Sequence, residues 1–306
     1  MGALIMMDKL SVIFTLQPHP LMERLCQTMP AEVGKTDTRL FPDGESYLKL
    51  ETDVRGRHCI ILADLSYPDP KFLPLSFMAE TMKELGASSV GLVAPYLCYM
   101  RQDRRFHEGE AITSRIFANL VSRQFDWMVT VDPHLHRYDS LDEIYTIPSK
   151  VVQGEPKLAD WLANEKDIFL VGPDAESEQW VSKIADYSGH PFVIGEKNRL
   201  GDRNVVITLP DLASYQGKTA VIIDDVISSG HTVLECMRAL RDKGIENVDC
   251  ACVHGIFSGG IDATLREKGL RRLVTCNTIP HDSNSLDVSD LLVPAIHDLV
   301  LGMIVK

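Results

Sequence analysis

The sequence predicts an α/β protein with two similar domains, each built on a central, mainly parallel sheet that is flanked by helices. Short apolar runs alternate with segments whose apolar residues recur at three- and four-residue steps, which is typical of βαβ units. A stretch of the first half also recurs in the second half. The 306 residues are enough for two domains of about 150 residues each.

Seven short apolar runs are predicted to form strands, because each is rich in β-branched or aromatic residues and is too short for a helix. In chain order these runs are 11–16, 59–63, 90–94, 128–131, 168–171, 220–223 and 248–253. Three intervening segments carry apolar residues at helical spacing, at 77–85, 114–123 and 233–243. Alternation of the two patterns favours parallel strands joined by crossover helices.

The internal repeat covers a strand, a loop and a helix. GRHCIILAD (56–64) aligns with GKTAVIIDD (217–225), and FMAETMKELGASSV (77–90) aligns with ECMRALRDKGIENV (235–248). Any two βαβ units share some likeness, but the Gly-basic start and the acidic end of both copies favour duplication. We therefore expect one domain over residues 1–150 and a second over 151–294. The apolar tail, about 295–306, could pack on either half and is assigned to the first.

Charge and cysteine content exclude several classes of protein. The 43 acidic residues outnumber the 31 basic ones, which gives a formal net charge of −12, so a nucleic-acid partner is not expected. The seven cysteines are scattered and form no CxxC pair, which indicates reduced core thiols. No apolar run approaches the roughly 18 residues of a spanning helix, and no cleavable leader is evident. We expect a cytoplasmic protein without a membrane partner.

The segment TAVIIDDVISSGHTVLECMRAL (219–240) carries the clearest chemical signal. In parallel sheets ligands bind beyond the carboxyl ends of strands, and free N–H groups at a helix N-terminus accept phosphate. Asp224 and Asp225 suit polyol hydroxyls or Mg²⁺, and burying them for packing alone would be costly. The loop that follows offers one flexible glycine and three hydroxyl donors. Its predicted phosphate-binding residues, here called the phosphate cradle, are Ser228, Ser229, Gly230, His231 and Thr232.

This segment resembles the phosphoribosyl pyrophosphate (PRPP) motif of type I phosphoribosyltransferases and of PRPP synthases, the ribose-phosphate diphosphokinases. By itself the motif leaves these two classes open. Resemblance to the synthases extends from about residue 12 to about residue 295 and implies a phosphoribosyltransferase-type fold for both domains. The further segments that carry it, in family order, are FPDGESYLKLETDVRG (41–56), PYLCYMRQDRRFHEGEAITSRIFANLV (95–121), TVDPHLH (130–136), VGPD (171–174) and EKNR (196–199).

The resemblance implies transfer of the pyrophosphoryl group of ATP to O1 of ribose 5-phosphate, with Mg²⁺ as cofactor and with PRPP and AMP as products. A type I phosphoribosyltransferase would use the same loop but would not account for the segments at 41–56, 95–121 and 196–199. A catalytically silent regulatory paralogue is a further alternative, against which Lys197, Arg199, His134 and Asp225 argue. No residue is assigned as a general base.

On the nucleotide side, the resemblance implies six ATP-binding residues. These are Phe41, Asp43, Glu45, Arg101, Gln102 and His134. Phe41 would stack on adenine from a neighbouring subunit, as in the family, which implies a homo-oligomer with this loop at an interface. From the residues alone, Phe41 could equally be a core aromatic, and Asp43-Gly44 could be only a turn.

On the ribose side, the resemblance assigns the ribose and its metal to Asp224 and Asp225, and the 5-phosphate to the phosphate cradle. His134 and Asp174 are the implied Mg²⁺ ligands. Lys197 and Arg199 would clamp the transferring group, as suits a mobile point charge and a planar multi-donor cation. In a polar loop, solvated charges are the ordinary interpretation of such a pair.

The sequence departs from the family pattern at three places. Ala175-Glu176-Ser177 stands where many members have two glycines, Ser228 stands where many synthases have an acid, and Phe106 replaces a polar residue. These changes are expected to affect substrate affinity and allosteric control more than the type of reaction.

Overall fold

The computed structural model describes residues 11–199 and 205–304, without the side chains of residues 198, 199 and 205. The described residues divide into two compact units. The first runs to Gln153 and includes the tail from Ser289, and the second spans Gly154–Val288. Each unit contains a six-stranded sheet whose neighbouring strands all run parallel. The predicted fold class is therefore confirmed.

The first unit has the sheet order β2-β1-β5-β6-β7-β8. Its elements before the tail are β1 (Ser11–Phe14), α1 (Pro20–Thr28), β2 (Glu32–Val33), β3 (Thr36–Leu40), β4 (Ser46–Leu50), β5 (His58–Leu62), α2 (Asp69–Glu84), β6 (Ser89–Ala94), α3 (Thr113–Gln124), β7 (Trp127–Val131) and β8 (Ser149–Val152).

The second unit repeats this arrangement with the order β10-β9-β13-β14-β15-β16. Its elements are α4 (Glu155–Leu162), β9 (Ile168–Gly172), α5 (Glu178–Ser188), β10 (Phe192–Ile194), β11 (Glu196–Arg199), β12 (Val205–Thr208), β13 (Thr219–Ile227), α6 (His231–Asp242), β14 (Val248–Gly255), α7 (Ile261–Glu267), β15 (Arg272–Cys276) and β16 (Asn284–Leu286). The tail then forms α8 (Ser289–Ile304). The repeated strands β5 and β13 occupy the same place in the two sheet orders, as duplication predicts.

The central strands form the cores because most of their side chains are apolar on both faces, as strands covered by helices on both sides require. All residues of β5, β6 and β7 are buried, and so are all residues of β9 and β14. Gly91 is required in β6, because a β-carbon there would lie 2.0 Å from Trp127 Cε2 on β7. The seven cysteines are free thiols, of which six are buried and Cys26 is half-buried.

Two local differences from the sequence prediction concern element boundaries. Helix α2 begins at Asp69 rather than at residue 77, with Pro70 in its first turn and Pro74 inside it. Proline is tolerated in a first turn, but an interior proline interrupts the pattern from which a helix is predicted. Strand β13 continues through both acids to Ile227 instead of ending before them.

Two antiparallel ribbons accompany the main sheets. Strands β3 and β4 pair in the first unit, from Thr36 opposite Leu50 to Leu40 opposite Ser46. Strands β11 and β12 pair in the second unit. Within the described residues, no helix is both long and apolar enough to cross a bilayer.

Candidate functional site

At the carboxyl edge of the second sheet, β13 is longer than its neighbour β9, so within the described residues the acidic end of β13 has no strand beside it on that side. Pairing of β13 with β9 ends at Ile222 opposite Val171, whereas pairing with β14 continues to Ile227 opposite Gly255. The last residues of β13 therefore extend beyond the end of β9. Asp224 and Asp225 lie on this extension, at the edge where ligands bind in parallel sheets.

The two neighbouring acids concentrate negative charge in a half-buried place. Asp224 Oδ1 accepts a hydrogen bond from the Asp225 N–H at 3.0 Å, and Asp225 Oδ1 accepts one from the Val226 N–H at 2.8 Å. Burial raises the pKa of Asp224 well above its usual range, and the charges of Asp225 and Asp174 and a hydrogen bond with Asp225 add to the rise. Such a carboxylate favours a cation or a hydroxyl donor as its ligand.

The phosphate cradle follows β13 directly and opens helix α6. Gly230 is the residue before the helix and has φ +68°, a conformation that L side chains rarely adopt. A β-carbon on Gly230 would also lie 2.4 Å from Ile261 Cγ1. Only glycine therefore fits at this position, for reasons of both conformation and space.

The backbone N–H groups of the cradle, at the start of α6, are available as hydrogen-bond donors. The first N–H groups of a helix have no partner within the helix, and here the first intrahelical bond is from Leu234 N–H to Gly230 O. Within the described residues, the N–H groups of Ser229 to Thr232 donate no hydrogen bond. Together with the helix dipole, these groups suit an anion.

A second loop supports the cradle from the side of β14. The N–H groups of Ile256 and Phe257 donate to Ile227 O at 2.9 and 3.2 Å, and the Ser258 N–H donates to Ser228 O at 2.9 Å. Phe257 is buried and has φ +48°, an unusual conformation for a residue of its size. The wall of the cradle is therefore held by backbone hydrogen bonds.

Lys197 and Asp174, which lie in separate segments of the sequence, form an ion pair. Lys197 Nζ on β11 lies 3.0 Å from Asp174 Oδ2, in the turn after β9, and the side chains are 23% and 16% exposed. The other carboxylate oxygen accepts a hydrogen bond from the Ser177 N–H at 3.1 Å. The side chain of Arg199 lies outside the described part of the chain.

In the first unit, three of the predicted ATP residues gather at the tip of the β3–β4 hairpin. Phe41 is 41% exposed, so the alternative of a core aromatic is wrong. Its ring lies edge-on to Tyr47 at 6.2 Å and beneath the Arg39 guanidinium at 5.5 Å. Asp43 Oδ1 accepts a hydrogen bond from the Glu45 N–H at 3.2 Å, so Asp43 does serve the turn. Both acids are exposed.

The remaining predicted ATP-binding residues lie on two loops at the carboxyl edge of the first sheet. Arg101 is exposed and Gln102 is half-buried in the loop after β6. His134 is half-buried in the loop after β7, and its ring lies 6.0 Å from that of His136. The structure thus brings together the phosphate cradle, the paired acids and the Lys197–Asp174 pair within the second unit. The predicted Mg²⁺ ligands belong to different units, His134 to the first and Asp174 to the second.

Comparison with known proteins identifies the family. The family model for the N-terminal domain of ribose phosphate pyrophosphokinase matches residues 11–124, and the model for the phosphoribosyl transferase domain matches residues 140–290. A ribose-phosphate pyrophosphokinase from Staphylococcus saprophyticus is 30% identical over 299 residues, which cover 93% of this chain and 92% of that protein. This chain belongs to the ribose-phosphate pyrophosphokinase family.

Other members support the same assignment. Ribose-phosphate pyrophosphokinases from Saccharolobus solfataricus and Methanopyrus kandleri are 32% and 29% identical, over 87% and 94% of this chain and 93% and 99% of theirs. A crystal structure of phosphoribosylpyrophosphate synthetase from Mycobacterium smegmatis superposes with a TM-score of 0.81 at 25% identity, covering 96% of this chain and all of that one. The predicted resemblance is confirmed.

The carboxylate oxygens of the candidate site fit Mg²⁺. Asp224 and Asp225 are hard oxygen ligands. The pKa of Asp224 is raised first by burial and then by the negative charges of Asp225 and Asp174, which a divalent cation would offset. The described residues contain no group of three or more His, Cys, Asp or Glu side chains arranged to hold a metal. Mg²⁺ is usually held by one or two carboxylates together with substrate phosphates, so an incomplete protein site agrees with its chemistry.

Two structural residues beside the candidate site escape prediction from the sequence. Ile261 lies against Gly230 but comes from helix α7, 31 positions later, within an ordinary apolar pattern. Asp103 follows Gln102 in a highly charged segment, yet its side chain is only 1% exposed, where Arg137 neutralises it. No local pattern could have found either contact, because both depend on how distant loops pack.

Proposed function

We propose that this protein transfers the pyrophosphoryl group of ATP to O1 of ribose 5-phosphate, giving PRPP and AMP. The observation that carries this proposal is the phosphate cradle directly after the paired acids Asp224 and Asp225, in a chain of the ribose-phosphate pyrophosphokinase family. The cradle has the donors for a sugar phosphate, and the acids have the acceptors for ribose hydroxyls.

In the proposed reaction, the anomeric oxygen attacks the β-phosphorus of ATP. A bond forms between O1 and the β-phosphorus, the bond from that phosphorus to the α,β-bridging oxygen breaks, and AMP leaves as the hydroxyl loses its proton. Such transfers depend mainly on positioning and on charge stabilisation. Lys197 suits the second task, since a flexible ammonium group can exchange Asp174 for a phosphate oxygen. Arg199 is proposed for the same role.

Mg²⁺ is the proposed cofactor, and when bound it would neutralise the triphosphate oxygens. Asp224 and Asp225 would hold it on the ribose side, and His134 and Asp174 are the ligands proposed on the nucleotide side. In this arrangement the carboxylates would also orient the sugar, while substrate phosphates would supply the remaining oxygen ligands.

On the nucleotide side, we propose that Arg101, Gln102 and His134 bind the phosphates of ATP and that the tip of the β3–β4 hairpin binds the base. The tip supports this role because Phe41 and the neighbouring Leu40 are 41% and 70% exposed. Exposed apolar residues at a hairpin tip suit contact with a second copy of the chain. We therefore propose a homo-oligomer in which the hairpin completes a neighbour's nucleotide site.

The decisive experiment incubates the purified protein with ATP, Mg²⁺ and ribose 5-phosphate and separates the nucleotide products. We expect AMP and PRPP in equal amounts, and loss of activity when Mg²⁺ is chelated. Asp224→Asn should abolish turnover, whereas Asp242→Asn, an exposed change at the end of α6, should not. Formation of ADP would mean an ordinary kinase. Absence of turnover together with tight PRPP binding would favour a phosphoribosyltransferase.

A further inference from the structure

An ion pair between a buried carboxylate and a partly exposed arginine joins the two loops that carry the proposed ATP phosphate ligands. Asp103 directly follows Arg101 and Gln102 in the loop after β6, and Arg137 lies three positions after His134 in the loop after β7. Arg137 Nη1 donates to both carboxylate oxygens of Asp103, at 2.7 Å to Oδ1 and 2.9 Å to Oδ2. The Asp103 side chain is 1% exposed and that of Arg137 is 35% exposed.

The backbone around Asp103 is held by a second set of contacts. Tyr138 Oη donates to Asp103 O at 3.1 Å and lies 3.0 Å from Ser114 Oγ, in the first turn of α3. The Ser114 N–H donates to Gln102 O at 3.3 Å. The loop after β6, the loop after β7 and the start of α3 therefore meet at this one point.

The other end of the Arg101–Gln102 segment is also anchored. Tyr99 Oη donates a hydrogen bond to Asp69 at the start of α2, and the Tyr99 ring packs 5.0 Å from that of Phe117 on α3. Arg101 is thus exposed between two fixed points, Tyr99 and Asp103. This anchoring limits the positions that the Arg101 guanidinium can reach, although neither anchor contacts the guanidinium itself.

The ion pair has the properties of a positioning device. A buried carboxylate without a counter-charge is costly, so Asp103 holds Arg137 in place. A buried pair contributes little net stability relative to apolar side chains of the same size, but its geometry is specific. Arginine, a planar donor, fixes direction better than lysine does.

We propose that Asp103 and Arg137 are positioning residues for ATP, which set the separation of the Arg101–Gln102 loop from the His134 loop. The two loops can then contact the same triphosphate. This inference rests on the proposed function, because it takes Arg101, Gln102 and His134 to be the phosphate ligands. Neither Asp103 nor Arg137 needs to touch ATP.

The test compares Arg137→Gln with Arg123→Gln, a change of the same kind at an exposed position near the end of α3. Calorimetric titration with ATP and, separately, with ribose 5-phosphate measures binding without turnover. We expect Arg137→Gln to weaken ATP binding at least tenfold and to raise KM for ATP, with ribose 5-phosphate affinity within twofold of wild type. Arg123→Gln should change neither affinity.

Two more variants keep the test decisive. Arg137→Lys retains the charge but not the paired geometry, so it should weaken ATP binding less than Arg137→Gln does. If Arg137→Gln does not fold, Arg137→Lys replaces it in the test. The double variant Asp103→Asn/Arg137→Gln should bind ATP no more weakly than the more damaging of the two single variants, because the two residues act as one unit.

Either of two results would overturn the positioning role: ATP affinity within twofold of wild type in a folded Arg137 variant, or an equal loss of affinity for both ligands. If the wild type binds ATP but forms no PRPP, the proposed function fails while the comparison of variants still decides the positioning role. A wild type that does not bind ATP would overturn both.

Discussion

Gly230 and Ile261 lie so close together that no side chain fits between them, since a β-carbon on Gly230 would be 2.4 Å from Ile261 Cγ1. Gly230 ends the phosphate cradle's loop at the start of α6, and Ile261 begins α7. The shape of the cradle therefore depends on a helix that follows the next strand of the sheet. This close approach, together with the left-handed backbone of Gly230, makes the position a sensitive test of the proposed ribose 5-phosphate site.

Gly230→Ala should weaken ribose 5-phosphate binding at least 10²-fold and leave ATP binding within a few-fold of wild type. The added carbon would displace the loop, and each charge-assisted hydrogen bond that the loop donates to the phosphate contributes about 1.5–3 kcal/mol. Calorimetric titration of the folded variant with each ligand measures both effects.

The matched control for Gly230→Ala is Gly189→Ala. Gly189 has φ +75° at the end of α5, but a β-carbon on it would have no neighbouring atom within 4 Å, so the substitution introduces only backbone strain. It should lower stability without changing ligand affinity. Adding Ile261→Ala to Gly230→Ala should recover part of the binding. Normal ribose 5-phosphate binding by Gly230→Ala would remove the cradle from the sugar-phosphate site.

Lys197→Ala should lower kcat by about 10²-fold or more while KM values change little, the scale expected when one electrostatic stabiliser of a transition state is removed. Lys197 lies 3.0 Å from Asp174, and its flexible ammonium group can exchange this partner for a phosphate oxygen. Steady-state kinetics should compare Lys197→Ala with the control Lys183→Ala. Lys183 is a more exposed lysine on α5 and lies 3.8 Å from Glu155. Equal kcat values for the two variants would contradict a catalytic role for Lys197.

The sequence predicts those parts of the fold whose pattern is local. The runs at 59–63 and 220–223 are strands in the structure because uninterrupted apolar residues suit a sheet that is covered on both faces. The start of α2 escapes prediction because Pro70 and Pro74 interrupt the helical pattern. The extension of β13 escapes it because acids usually end a buried strand, whereas here the shorter β9 leaves space beside them.

For the candidate site, the sequence predicts which residues carry chemistry but not what they contact. It assigns Asp174 and Lys197 to separate roles, and their ion pair is evident only from the fold. Asp103 lies among charged neighbours that are exposed, so its burial against Arg137, 34 positions away, has no local signal. Contacts between loops of different strands depend on sheet order, and a single sequence does not determine that order.

Cys26 should be the first thiol to react in the native protein, although partial burial raises the pKa of its thiol and slows the reaction relative to a free cysteine. It is half-buried and lines an open groove of 480 Å³ in the first unit, whereas the other six cysteines are buried. Titration with an aromatic disulfide reagent should give one fast equivalent, with the remaining six released only by unfolding. Cys26→Ser should abolish the fast phase and Cys236→Ser should leave it. Rapid reaction of several thiols would mean that the core opens readily.

His58 should make the protein less stable as the pH falls. Its ring is buried in β5, where Nδ1 lies 2.8 Å from Ser89 Oγ, and burial lowers the pKa of His58 below its ordinary value of 6.5. Below pH 6.5 the unfolded chain binds a proton at this residue more readily than the folded protein does, so the free energy of unfolding decreases with falling pH. Thermal unfolding between about pH 7.5 and pH 5 should therefore show a smaller decrease in Tm for His58→Gln than for wild type. His107→Gln, a change at an exposed histidine, should show the same decrease in Tm as the wild type. An equal decrease in Tm for His58→Gln and the wild type would show that His58 is not a source of the acid sensitivity.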